Sequence, residues 1–399
     1  MSEKEPESYV STLTYAKASL WQKNKPLVGR IDFELTERCN NNCVHCCINL
    51  PERDLAAQKR ELTTEEWKRI IKEAADLGAM TIRFTGGEPL LREDFKELYL
   101  FTRKLGVRVM LFTNARLITP ELAEFLAKYP PRELVEVTVY GMHKKSYEAV
   151  ARAKGSFAEF WRGLNLLLEK KIPLVVKSAL LPQNKHELDE FEAFAKTIPW
   201  MDHPPSYSMF FDLRCRCDDP RKNALIKKNR FSPAEGLKVL TRDMEKYRKG
   251  MCEFCSKFMR PPGNKLFSCG AGHGGGCVDA YGKLQLCLPL RHPATVYDLK
   301  QGSIKDAIEN FFPKMKQIVP QNPEYLKRCA RCFLKGLCDQ CPAKSWTETG
   351  TLDTPVEYLC EVAHTQAEYL GLIEKGEKAW EVDDWRGRIQ NLVASDNVV

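Results

Sequence analysis

The sequence predicts an α/β protein, a partial (β/α)6 barrel followed by a small cysteine-rich domain. Three observations lead there. From residue 30 to about 250, short apolar runs alternate with segments of helical periodicity, the pattern of a parallel sheet with crossover helices. The alternation makes six β/α steps, two fewer than a closed eight-fold barrel, so the sheet should stay open on one side. Beyond residue 250 the periodicity fades and Gly and Cys become frequent, as in a small domain that depends on metal for its stability.

Each element has a local cause. Arg30–Leu35 reads as the first strand. Thr63-x-x-Glu66 is a capping box, Trp67, Ile70, Ile71, Ala74 and Leu77 follow at helical spacing, and Gly78 ends the helix. Met80–Phe84 is the second strand, Glu93–Leu105 a helix and Val107–Thr113 the third strand. Thr119-Pro120 supplies a cap and a first-turn proline for the next helix. Leu134–Tyr140 is the fourth strand. Ser156-x-x-Glu159 then predicts a capped helix burying Phe160, Trp161, Leu164 and Leu168. Leu174–Ala179 is strand five, and a helix near His186–Lys196 leads to strand six at Tyr207–Phe211. Ser232-Pro233-Ala234-Glu235 caps a last core helix reaching about Arg248. Residues 250–365 should hold short elements at most. Val362–Lys375 patterns as an amphipathic helix, and Ala394-Ser395-Asp396-Asn397 should be loose. The expected organisation is an N-terminal extension (1–28), a β/α core (29–250, with a linker from about 213), a cysteine-rich domain (251–365) and a C-terminal helix and tail (366–399).

Composition narrows the function classes. The chain has 399 residues, 43% hydrophobic and 29% charged, as in a globular protein. No apolar run is long enough to span a bilayer, so no membrane association is expected. Met1-Ser2-Glu3-Lys4-Glu5 is charged, with no apolar stretch behind it, unlike a secretory signal. The formal net charge of +8 comes without a basic block or interleaved aromatics, so no nucleic-acid partner is expected. Sixteen cysteines without a signal point to a reducing, cytoplasmic setting in which thiols hold metal or do chemistry.

Eleven of those cysteines form two spaced groups. Cys39, Cys43 and Cys46 make a C-x3-C-x2-C run just past the first strand. Sites in parallel β/α folds form where loops leave the C-terminal strand ends. Short cysteine steps let one loop wrap an iron–sulfur cluster corner, and three ligands would leave one iron open. Thr85-Gly86-Gly87-Glu88-Pro89 follows the second strand on the same rim. Its glycines allow close backbone approach, and Glu88 supplies a carboxylate that can accept from an ammonium.

Together these residues resemble the radical S-adenosylmethionine (SAM) superfamily, whose pattern is C-x3-C-x-aromatic-C, with His45 in the aromatic slot and Gly86–Pro89 as the GGEP loop. The resemblance implies a 4Fe–4S cluster on Cys39, Cys43 and Cys46, with the SAM amino and carboxylate groups on its fourth iron. Gly86, Gly87 and Glu88 would hold the amino group. Thr138 matches a hydroxyl position near the SAM carboxylate, Arg152 could pair that carboxylate, and Asn114 follows the third strand where the family often has a Thr-Asn pair. One electron would cleave SAM to methionine and a 5′-deoxyadenosyl radical that abstracts a substrate hydrogen.

The later cysteines, Cys269, Cys277 and Cys287, then Cys329-x2-Cys332-x5-Cys338-x2-Cys341, then Cys360, resemble the SPASM extension of this superfamily. That likeness implies two auxiliary 4Fe–4S clusters. One would use Cys269, Cys277, Cys287 and Cys341, the other Cys329, Cys332, Cys338 and Cys360. The run C-x2-C-x5-C-x2-C is also ribbon-like and leaves zinc open as an alternative. Cys47, Cys215, Cys217, Cys252 and Cys255 remain. Cys215-x-Cys217 and Cys252-x2-Cys255 could join in a four-thiol site or stay as unligated thiols.

The SPASM likeness points to oxidative modification of a ribosomally made peptide, such as crosslinking. The alternatives are radical modification of a small molecule or cofactor precursor, sulfatase-like protein maturation, or an iron–sulfur electron carrier without enzymatic activity. The sulfatase branch is expected to carry an Asp just after the counterpart of Cys287, where this chain has Leu288-Pro289-Leu290. The carrier reading leaves the Gly86–Pro89 loop unexplained. Only 38 residues precede Cys39, fewer than a domain of about 80 residues, so any leader recognition is expected from a separate small protein. A ferredoxin or flavodoxin is the expected electron donor.

Overall fold

A computed structural model describes residues 28–396. Apart from Val28, the expected N-terminal extension lies outside the described residues, as does Asn397. The chain groups into two compact units. Among the described residues, the first holds 28–208 with Gly270–Leu288 and Ala294–Pro313; the second holds Met209–Cys269, Pro289–Pro293 and 314–396.

The first unit is a nine-stranded sheet with helices. β1 (Arg30–Thr36) is followed by two short strands, β2 (Arg38–Cys39) and β3 (Leu50–Pro51), which pair with each other in parallel and close the cysteine loop. Then come α1 (Leu55–Arg60), α2 (Thr64–Asp76), β4 (Thr81–Gly86), α3 (Phe95–Lys104), β5 (Arg108–Thr113), α4 (Pro120–Lys128) and β6 (Arg132–Val139). α5 (Lys144–Ala151), α6 (Ser156–Glu169), β7 (Leu174–Ala179), α7 (Leu188–Ala195) and β8 (Ser206–Ser208) complete the series. Strands β1, β4, β5, β6, β7 and β8 lie side by side in chain order, all parallel, as the six-step reading requires. The sheet does not close on itself: β8 is one edge.

The predicted start signals work where they are local. Thr63 accepts from the Glu66 N–H at 3.3 Å, and Glu66 accepts from the Thr63 N–H at 2.8 Å. Thr119 accepts from the Leu122 N–H ahead of Pro120. Trp67, Ile70, Ile71 and Ala74 of α2 are wholly buried, and the Trp67 ring lies 5.2 Å from Phe33 on β1. Side chains of this kind contribute about 1.5–3 kcal/mol each.

Four expectations need correction in this unit. Ser156 does not cap α6. Gly155, in the left-handed region at φ 82°, starts the helix, while Ser156 is its first residue and Glu159 is drawn to Arg116. The buried stripe of α6 uses Leu167 rather than Leu168, and Trp161 is only half-buried. An unpredicted helix, α5, fills the link after β6. Strand six is the short β8 rather than Tyr207–Phe211.

The sheet also extends beyond β1 with segments assigned from sequence to the cysteine-rich domain. β9 (Cys277–Val278) pairs in parallel with β1, followed by antiparallel β10 (Lys283–Gln285) and β11 (Val296–Asp298). Glycine permits this docking. The Gly29 and Asp32 N–H groups donate to Gly274 and Gly276 at 2.7 and 3.0 Å.

In the second unit, α8 (Pro220–Asn229) occupies the expected linker, and α9 (Pro233–Leu240) starts with the predicted capping box at Ser232 and Glu235. The helix does not run on to Arg248. It breaks, and Asp243 caps a new helix, α10 (Met244–Phe258). The later residues carry more helix than expected: α11 (Pro342–Thr349), α12 (Glu357–Leu370) and α13 (Trp385–Asp396). The Val362–Lys375 prediction corresponds to α12, which starts earlier and includes Cys360. Ala394 and Asp396 are helical rather than loose, because Ile389 and Leu392 anchor α13 in a core with Phe333, Leu334, Ala363, Ala367 and Leu370.

A methyl added at Gly275 would meet the Arg30 carbonyl oxygen at 1.8 Å. Gly275→Ala is therefore expected to push β9 off β1 and cost about 1–3 kcal/mol. Urea unfolding reads this as a lower midpoint, and an unchanged midpoint would show that this approach does not hold the edge.

Candidate functional site

The site is built where β1, β4 and β5 end. Cys39 closes β2, and its Sγ accepts from the Asn41 N–H at 3.3 Å, which tightens the loop. The next turn is held by the Cys46 N–H on the Cys43 carbonyl. The Asn42 and Val44 N–H groups donate to the Ala151 and Val150 carbonyls at 2.9 and 3.0 Å. Thus the end of α5 braces the cysteine loop by its free carbonyls. Cys39 and Cys43 are buried and Cys46 is half-buried. The His45 ring lies 5.7 Å from that of Tyr140.

The Gly86–Pro89 loop is pinned against the same segment. Gly87 N–H donates to Thr36 O at 2.7 Å and Glu88 N–H to Arg38 O at 2.9 Å. Gly86 has φ 130°, and a methyl at Gly87 would sit 2.3 Å from the Arg38 carbonyl oxygen. Only glycine fits at either position. Pro89 opens a short 3-10 turn capped by Glu88.

Glu88 has no solvent exposure. It accepts from Thr113 Oγ1 at 2.9 Å, from Asn114 N at 2.8 Å and from Leu90 N at 3.2 Å. Burial pushes its carboxyl up to about 7, against the pull of those donors and of Arg116. Asn114 joins the loops: its Nδ2 donates to Asn40 Oδ1 at 2.7 Å and lies 3.9 Å from Cys39 Sγ. Arg116 clamps the outside, bonding Glu159, the Asn41 side chain and the Asn40 carbonyl.

Three thiols on one loop are a donor set of the kind that holds an iron–sulfur cluster. Cys39 is pushed well above its ordinary value by burial, then by Cys43, Glu88 and Cys46. Thiols crowded beside a carboxylate ionise together only if a cation joins them. Thr138 is half-buried on β6, on the face opposite Val137 and Val139. Arg152 is exposed at the left-handed end of α5, one residue past the carbonyls that hold the cysteine loop.

In the second unit, Cys329, Cys332, Cys338 and Cys360 line one cavity with Arg328, Lys335, His364 and Trp380. Burial, with the neighbouring thiols adding to it, raises Cys329 to about 11 and Cys332 to about 12. Among the described residues, no trio of Cys, His, Asp or Glu forms a ready single-ion site. Cys277 and Cys287 belong to the first unit, and Cys269 and Cys341 to the second. Cys277 is buried in β9 and Cys341 precedes α11. The two spare pairs engage different elements. Trp346 on α11 bonds the Cys215 carbonyl and accepts from Cys217 Sγ, whereas Cys252 and Cys255 pack in the core around α10 and α13.

Sequence reasoning passed over Asn40, Arg116 and Arg328. Each acts through a partner far along the chain, and only Asn114, after a strand end, carried a signal.

The open parallel β/α sheet thus carries three thiols and a buried carboxylate at its C-terminal rim. Residues 33–195 match the family model of the Radical SAM superfamily, so this part of the chain is a radical SAM domain. SAM and a 4Fe–4S cluster are accordingly its cofactors. It is 26% identical over 345 residues to the AdoMet-dependent heme synthase of Methanosarcina barkeri, covering 80% of this chain and 93% of that protein. It is 37% identical over 170 residues to the mycofactocin maturase MftC of Mycolicibacterium smegmatis, spanning only 41% of either protein. In fold it is similar to native anSMEcpe with bound AdoMet and the Cp18Cys peptide, at TM-score 0.55 and 15% identity, covering 94% of this chain and 100% of that one. No helix among the described residues is long and apolar enough to cross a membrane.

Glu88 gives a pH signature. Its carboxyl stands near 7 in the folded chain, above the ordinary value of 4.5. Between those values the folded state holds the proton that the unfolded state has lost, so stability falls as pH rises. In cluster-free, SAM-free protein the fall is expected to be roughly 3 kcal/mol between pH 4 and 8. Glu88→Gln should remove that part of the slope in denaturant titrations; equal slopes in both proteins would contradict the assignment.

Proposed function

We propose that Cys39, Cys43 and Cys46 bind the 4Fe–4S cluster and that Gly86, Gly87 and Glu88 receive the SAM amino group. The observation that carries this is Asn114, which bonds Glu88 with its N–H and Asn40 with its side chain. The cysteine loop and the carboxylate loop are thereby held as one frame. When bound, the cluster and SAM supply a one-electron cleavage that yields a hydrogen-abstracting radical. The chain's own contribution is positional. Glu88 would offer the SAM ammonium a carboxylate that already has other donors in place, and Arg116 fixes the loop that carries the thiols. Thr138 and Arg152, beside the same rim, are assigned to the SAM carboxylate.

The substrate in this reading is a ribosomally made peptide, modified oxidatively, for example by crosslinking. Support comes from the likeness to MftC and from the fold shared with peptide-bound anSMEcpe. Cys329, Cys332, Cys338 and Cys360 would hold one auxiliary 4Fe–4S cluster, supported by their shared cavity. Such a cluster would carry an electron away from a substrate radical. A ferredoxin or flavodoxin would reduce the SAM-binding cluster, and a separate small protein would present the leader. A second reading is favoured by one observation: the relative aligned over 93% of its own length is a heme synthase. In that case the substrate is a heme-forming small molecule.

Anaerobic iron and sulfide assays test the cluster assignment. The Cys39/Cys43/Cys46→Ala variant is expected to hold about four irons per chain fewer than the unaltered protein. Unaltered iron in that variant would refute it. Glu88→Gln should weaken SAM binding by about ten- to a hundredfold while iron is retained; calorimetry showing equal affinity would remove Glu88 from the site. For the substrate, 5′-deoxyadenosine release is measured with small peptides encoded beside this chain's gene and with porphyrin substrates. Stimulation by a peptide, with a mass change in it, is expected. Stimulation by porphyrin alone would establish the second reading.

A further inference from the structure

Arg328 stands out among the cations near the later cysteines because it addresses a sulfur. Its Nη2 donates toward Cys360 Sγ at 3.7 Å. The guanidinium is held there from two other sides. Glu357 takes it as a fork, with 2.7 Å to Nη1 and 2.9 Å to Nη2. The Trp380 ring lies beneath it, 4.9 Å from the guanidinium carbon. Its Nε is buried and has no hydrogen-bond partner among the described residues. The side chain as a whole is 17% exposed.

The backbone is specialised at the same place. Tyr325–Cys329 is a π-helical turn in which the Ala330 N–H reaches back to the Tyr325 carbonyl at 2.9 Å. Such turns are uncommon and concentrate at functional sites. This one presents Arg328 and Cys329 side by side, although Arg328 bonds Cys360, 32 residues further on. Three further basic groups lie nearby. Lys335 Nζ donates to the Gln340 carbonyl. His364 also reaches this sulfur: its Nδ1 lies 3.6 Å from Cys360 Sγ and 2.8 Å from the Cys360 carbonyl, while its Nε2 accepts the Ala379 N–H. Lys378 is exposed and lies 5.8 Å from the Trp380 ring.

We propose that Arg328 is a positioning residue that raises the reduction potential of the iron–sulfur cluster held by Cys329, Cys332, Cys338 and Cys360. This rests on the assignment of those four thiols as cluster ligands. The physics is direct. Reducing a thiolate-bound cluster adds one negative charge, and a fixed cation donating N–H to a ligand sulfur stabilises that state more than the oxidised one. The Glu357 fork and the Trp380 face hold the guanidinium in place, so little reorganisation accompanies the electron. A cluster tuned upward in this way is suited to accept an electron from a more reducing centre.

The test is a redox titration of anaerobically reconstituted holoenzyme followed by electron paramagnetic resonance, with iron counted in every sample. The relevant signal is the one lost, with about four irons, in a Cys332→Ala/Cys338→Ala variant. If that variant keeps its iron and every signal, the ligand assignment fails, and the inference with it. If the signal is found, Arg328→Gln is expected to move its midpoint to more negative potential. A tenfold change in the reduced-to-oxidised ratio corresponds to about 59 mV for one electron. Arg328→Lys keeps the charge but not the fork and should give a smaller negative shift. An unchanged midpoint in Arg328→Gln with full iron would overturn the proposal. Should Arg328→Gln fail to retain iron, Arg328→Lys decides alone, an unshifted midpoint there counting against it.

Discussion

The first unit of this protein depends on one buried carboxylate. Glu88 is sealed from solvent, and its two oxygens draw donors from β5's end and from its own turn. A carboxylate without such donors would be very costly to bury. The requirement runs outward. The Glu88 backbone is fixed by Arg38, the carbonyl just before Cys39, and its side chain is fixed by Asn114, which also holds Asn40. The loops after β1, β4 and β5 are therefore tied together by hydrogen bonds. A radical enzyme gains from this, because the cofactor that starts the reaction has to be held in register with an iron centre before any electron arrives.

Around that frame the same logic is used twice. The cysteine loop is short of regular structure, and its Asn42 and Val44 N–H groups are satisfied by the spare carbonyls at the end of α5. In the second unit, Cys360 stands on α12 while Cys329 closes a π-helical turn, and Arg328 spans the two. In both places a cation at the edge, Arg116 or Arg328, is anchored by a glutamate and reaches toward the thiol-bearing loop. Charge fixed by a partner keeps its direction, which a free surface side chain does not.

Much of this was legible in the sequence because it is local. The Thr63–Glu66 box, the proline at 120 and the β/α alternation each act within a few residues. The thiol spacing and the Gly86–Pro89 loop carried the family likeness for the same reason. Ser156 misled because the cap signature S-x-x-E holds only when the glutamate is free to fold back; here Arg116, 43 residues away, takes Glu159. The joining of β9 to β1 was invisible, since it pairs Cys277 with Asp32 across most of the chain and leaves no periodicity to read. Arg116 and Arg328 were missed alike: nothing in an arginine's neighbours in sequence says which distant oxygen or sulfur it will meet.

If, as proposed, the Cys39, Cys43 and Cys46 loop and Glu88 form one frame that holds SAM against the cluster, electron paramagnetic resonance of the reduced holoenzyme, recorded with and without SAM, should respond in one signal alone. The signal absent from the Cys39/Cys43/Cys46→Ala protein, and only that signal, is expected to change its g-values when SAM is added. A spectrum indifferent to SAM, or one that responds equally in the triple variant, would contradict it.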